Sequence, residues 1–129
     1  MAKCWLEVPI LNDEHVVVVC WGTADEVLKV MHRYGYPKDE PYAAEVNKLG
    51  PVMVGMCFYC DHRPPVIGLP VVPVSPARIG TLAHGAVHAV TDILGKVGAA
   101  KDDSDEVLAH SVGAVVRHTL AYVQRTGGV

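Results

Sequence analysis

A chain of 129 residues, half of them apolar and 19% charged, fits one domain (1–129) around a single core and excludes a disordered polypeptide. The net charge is -3 with histidines neutral, and no basic block stands out, which argues against nucleic acid or an anionic membrane as the main partner. No apolar run approaches the roughly 20 residues of a membrane span, and Glu7 and Pro9 interrupt the N-terminal stretch too early for a signal peptide. The expectation is a cytoplasmic protein whose four cysteines, Cys4, Cys20, Cys57 and Cys60, stay reduced.

Lys3 to Ile10 and His15 to Trp21 read as two strands, the second carrying the β-branched run Val16 to Val19. Leu11-Asn12-Asp13-Glu14 between them has turn chemistry, so a hairpin is predicted. Thr23 with Glu26 forms a capping box ahead of an apolar stripe at Val27, Leu28, Val30 and Met31, and Gly35 ends that helix. Tyr36 to Pro51 is polar and proline-punctuated, with a short strand expected near Ala43 to Val46. Pro51 to Cys60 reads as a β-like run. Val66 to Val74 reads as another, placed at a sheet edge because Pro70 and Pro73 lack ladder donors.

Two helices close the chain. Ser75 caps the first, Pro76 opens it, and Ile79, Leu82, Ala83, Ala86, Val87, Val90, Ile93 and Leu94 follow at helical spacing up to Gly95 or Gly98. Asp103 or Ser104 caps the second, which runs to about Gln124 before Gly127-Gly128 frays. Strands first and helices later predict an α+β fold: a small mixed or antiparallel sheet with three helices.

His84 and His88 stand four apart on the first of these helices. At about 100° per residue they lie about 40° apart on one face, one turn above the other, a spacing at which two imidazoles reach one Zn²⁺. The acidic start of the next helix, Asp102 to Glu106, can offer a carboxylate if the two helices pack as neighbours; equally, Asp103 and Glu106 make a capping box and the cluster suits a helix N-terminus. A histidine pair at this spacing also occurs on ordinary solvated faces.

Thr81-Leu82-Ala83-His84-Gly85-Ala86-Val87-His88, followed by Asp103-Ser104-Asp105-Glu106-Val107-Leu108-Ala109-His110, resembles the core of small zincin-like metallopeptidases common in bacteriophage genomes. These carry T-L-x-H-E-x-x-H on one helix and D-D-E-x-x-A-Y on the next. The resemblance spans Val66 to Leu120 and implies a zincin-like domain in which His84, His88 and Glu106 are zinc ligands. His110 stands where the family often has tyrosine, as an electrophilic catalytic helper or a further ligand. A peptide or protein ligand would lie along the 66–74 edge strand, in the host cytoplasm if the protein is phage-encoded. Nothing in the pattern specifies an oligomeric state.

Gly85 breaks the pattern. It occupies the place of the general-base glutamate, so hydrolysis needs a substitute such as Asp105, His110 or Asp92, or it is lost. The sequence therefore suggests a degenerate or weakly active metallopeptidase. The alternative is a non-enzymatic phage accessory protein that acts by binding a host or phage protein. Cys57-Phe58-Tyr59-Cys60 is a lone CxxC, with Asp61 and His62 beside it; it reads as a zinc or redox pair or as two buried thiols.

Overall fold

The valine run has both faces buried, and this sets the layering. In the computed structural model, which describes residues 4–38, 40–98 and 101–128 (40 and 101–104 by backbone alone), β1 (Trp5–Ile10) and β2 (His15–Trp21) form the predicted hairpin. Its loop takes Leu11, Asn12 and Asp13 through φ of 54°, 57° and 66°, left-handed backbone that Asn and Asp tolerate far better than Leu. Trp21 N–H donates to the Cys4 carbonyl at 3.0 Å. That phase puts Leu6 and Val8 in hydrogen-bonded pairs with β2 and turns Pro9, which has no N–H to offer, toward the open side.

The sheet has four strands in the order β1-β2-β4-β3. β4 (Val66–Leu69) runs parallel to β2, and β3 (Met56–Phe58) runs antiparallel to β4 at the far edge. Val17, Val19 and Trp21 of β2, with Ile67 and Leu69, bury against α3 (Pro76–Val97) and α4 (Lys101–Thr126). Val18 and Cys20, with Phe58 and Val66, bury against α1 (Ala24–Arg33) and against Val46 at the end of α2 (Glu40–Val46). Helices thus cover both faces, which is why β2 reads as an unbroken apolar run. The fold class is α+β with a mixed sheet, as expected.

Local signals are obeyed at α1 and α3. Thr23 and Glu26 cap each other's backbone at the start of α1. Ser75 accepts from Arg78 N–H, Pro76 occupies the first turn, and Gly98 closes α3 in left-handed conformation at φ 67°.

Several expectations are corrected. Ala43 to Val46 belongs to a helix rather than a strand, giving four helices among the described residues; Ala43, Ala44 and Glu45 are good helix formers, and Pro41 sits in the first turn where it is tolerated. Of Pro51 to Cys60 only Met56–Phe58 join the sheet, Met53 makes an isolated bridge to Leu49, and Val52 and Val54 lie exposed in the turn before β3. The Val66 to Val74 stretch is not an edge. Its ladder ends at Leu69, so Pro70 and Pro73 fall beyond it, and the strand sits between β2 and β3 with all four residues buried. The edges are β1 and β3. α4 begins at Lys101, ahead of Asp103 and Ser104, whose side chains lie outside the described residues. The C-terminal glycines are ordered rather than frayed: Gly127 N–H bonds the Val123 carbonyl at 2.7 Å, and Gly128 is buried with its carbonyl accepting from the Trp21 indole at 2.7 Å.

Candidate functional site

α3 carries His84 and His88 on a face that looks toward β3. The two Nε2 atoms are 3.1 Å apart and the rings meet edge to face, with centroids 4.8 Å apart. Both side chains are exposed at the rim of a cleft of about 280 Å³ between the helix and the edge strand. Met53, Gly55, Met56, Cys57 and Tyr59 form the strand wall; Thr81, His84, Gly85 and His88 form the helix wall. Larger hollows, one of about 770 Å³ by the start of β2 and the 61–65 loop and one of about 730 Å³ beside β1, do not include His84 or His88.

Gly85 lets the wall close. A Cβ at this position would stand 2.9 Å from Ile67 Cγ2 of β4. The glycine, which has no visible packing reason in the sequence, is thus the point where α3 rests on the sheet. Thr81 makes a matching contact with Gly55, where a Cβ would meet its methyl at 2.5 Å.

The stripe continues past the histidines. Asp92 and Lys96 occupy the next two helical repeats and pair at 3.0 Å, and Lys96 also reaches the Cys60 carbonyl at 3.4 Å. Asp92, considered above as a substitute base, is therefore tied to a cation one hollow along, beside Tyr42, Tyr59 and Cys60. The i, i+4, i+8, i+12 spacing of this row is present in the sequence, and it is the signal that would have placed Lys96 beside Asp92.

Glu106 and His110 do not join the pair. Both are exposed on α4, and no described residue of α4 lines the cleft. Among the described residues, no three His, Cys, Asp or Glu side chains converge within reach of one metal ion. The same holds for the Cys57, Cys60, Asp61 and His62 group. Cys57 packs on the α3 side of the sheet and Cys60 against the α1 side, as residues three apart around a strand should. His118, eight residues beyond His110, lines a different groove beside β1.

The cleft's thiol is not a nucleophile at neutral pH. Burial pushes Cys57 up from 9.0 to about 12, with Asp92 adding to the rise and a hydrogen bond with Tyr59 opposing it. Burial also raises Tyr59, Tyr36 and Cys20. These groups hold their protons more tightly folded than unfolded. For Cys57 the contribution is complete below the unfolded value of 9.0 and is lost as pH climbs toward about 12. Thermal melts between neutrality and pH 11 should show the melting temperature falling above about pH 9, less steeply in Cys57→Ala. A flat profile would contradict the burial of these groups.

Two imidazole nitrogens at this distance can do one of two things. They share a proton as an N–H···N hydrogen bond, one ring donating and the other accepting, or they bind one cation in that proton's place. Two Zn–N bonds of about 2.0–2.1 Å at a tetrahedral angle separate their nitrogens by about 3.3–3.4 Å, within a few tenths of the 3.1 Å found here. The pair fits two corners of a zinc ion; the described residues offer no third. The chain matches no family model, no curated protein and no solved structure.

Proposed function

We propose that this protein is a zincin-like protein of the phage type that binds zinc through His84 and His88 and has lost efficient peptide hydrolysis. One observation carries the reading: the two Nε2 atoms lie 3.1 Å apart at the rim of a cleft that runs beside an exposed strand edge. Zinc, when bound, supplies Lewis acidity and lowers the pKa of its water. The chain's own groups add little hydrolytic chemistry around it. Gly85 has no side chain to take a proton, Cys57 stays protonated, and Asp92 is paired with Lys96.

Metal analysis of protein purified without a nickel column tests this. About one zinc per chain is expected from a single two-histidine site, lost in His84→Ala and His88→Ala. Glu106→Gln should leave zinc content unchanged, against what the family resemblance implies, because the glutamate is exposed on α4 and does not line the cleft. A His84→Ala protein with full metal content would overturn the reading.

A second reading, a non-enzymatic interaction protein, is favoured by the exposed apolar residues Val52, Val54, Val71 and Val74 in the segments flanking β3 and β4. It predicts that the zinc-free His84→Ala variant keeps any partner binding of the parent.

A further inference from the structure

The free side of β1 opens onto a groove of about 730 Å³ between that strand and α4, on the opposite edge of the sheet from the histidines. Trp5, Glu7, Arg117, His118, Tyr122 and Arg125 line it. The Arg125 guanidinium lies 5.5 Å from the Tyr122 ring, and on the other face of the strand Arg33 lies 5.2 Å from the Trp5 ring. Three of the chain's five arginines therefore border one strand, in a protein whose net charge is -3. Among the described residues none of the three forms an ion pair, the pairs being Lys48–Glu45 and Lys96–Asp92. The groove's carboxylate, Glu7, accepts from the Tyr34 hydroxyl at 2.5 Å and, among the described residues, forms no ion pair with the three arginines.

We propose that this groove binds an acidic peptide segment in extended conformation, added to the sheet as a strand beside β1. The backbone phase set by the Trp21–Cys4 bond directs the Glu7 N–H and C=O and the Pro9 C=O away from β2, toward an incoming chain. Side chains of an added strand alternate between the two faces. On one face they meet Arg117, His118 and Arg125; on the other they meet Arg33. Carboxylates at either parity thus find a guanidinium. A second copy of this chain is a poor occupant, since two-fold pairing through β1 would set Arg117 and Arg125 against their own mates. A nucleic acid strand would use the cations but not the row of backbone groups.

The test is fluorescence anisotropy on the full chain at low salt. The probe is a labelled octapeptide of alternating glutamate and valine, compared with its lysine–valine counterpart, with an N-methylated glutamate–valine peptide and with an oligothymidylate. Saturable binding of the glutamate–valine peptide is expected, falling as salt rises. It should weaken about tenfold or more in Arg117→Ala/Arg125→Ala, by a smaller factor in Arg33→Ala, and about tenfold on N-methylation. The side chains at 117 and 125 are exposed, so thermal melts of the variants should match the parent. The proposal is overturned by an absence of saturation up to about 1 mM, by equal binding of the lysine peptide, or by unchanged affinity in the double variant. Unchanged affinity on N-methylation, or tighter binding of the oligothymidylate, would overturn it as well.

Discussion

Gly85→Ala should destabilise the protein, whereas the same change at Gly80 or Gly95 in the same helix should stabilise it. All three sites lie within α3, where alanine is favoured over glycine by about 1 kcal/mol. At Gly80 and Gly95 an added Cβ meets nothing within 4 Å, so that gain is realised in full. At Gly85 it meets Ile67 Cγ2 at 2.9 Å. Ile67 is β-branched and 1% exposed, so it has no free rotamer into which to retreat. Overpacking of this kind costs about 1–3 kcal/mol and outweighs the helical gain. Urea denaturation of the three variants measures the contrast directly, and a Gly85→Ala protein as stable as Gly80→Ala would show that α3 does not rest on β4 at this point. The result bears on the proposed function, because Gly85→Glu, the change that would give the proposed zincin-like site a general base, carries the same Cβ plus a buried charged stem. Glutamate at this position is expected to cost about 2–4 kcal/mol, so a test for hydrolysis is best made with Ile67→Ala alongside it.

Trp21→Phe should lower stability by about 2–4 kcal/mol. The indole N–H bonds the Gly128 carbonyl at 2.7 Å inside the core, across a separation of 107 residues. Phenylalanine removes that donor, strands a buried carbonyl and leaves space beside Tyr122, whose ring packs edge-on against Trp21. Gly128→Ala should be comparably damaging, since the residue has φ 80° and its Cβ would stand 2.4 Å from Val72 Cγ2. If the two changes act on one latch, the double variant loses less than the sum of the singles. Full additivity would mean that the contact carries no coupling.

The elements legible in the sequence are those whose signals are local. Thr23 with Glu26 and Ser75 with Pro76 each mark a helix start through groups within one turn, and the four-residue loop after Ile10 marks the hairpin. Sequence spacing misleads where it has to stand in for tertiary position. Pro70 and Pro73 signal a place where pairing stops, but they say nothing of the strand before them, which is paired on both sides. The histidine pair was readable because i, i+4 on a helix fixes its own geometry. Its neighbours were not, because they depend on which flank of α3 the next helix occupies. The described part of α4 contributes nothing to the cleft, whose far wall is β3 instead. The packing role of Gly85 is hidden in the sequence for the same reason: its partner, Ile67, is known only once the sheet is assembled.

The parallel pairing of β2 with β4 also orders events in folding. β1 and β2 are joined by four residues and can zip at once, but the other edge of β2 must wait for β4, whose Val66 pairs with Val18 only after the intervening helices and β3 have been threaded between them. During that interval Val16 to Val19 present a bare, uncharged, β-branched edge, the kind of template on which identical chains add to one another. Aggregation during refolding is therefore governed by how quickly β4 arrives, and changes that speed the closure of the 22–65 segment protect the chain even if they leave the folded state no more stable.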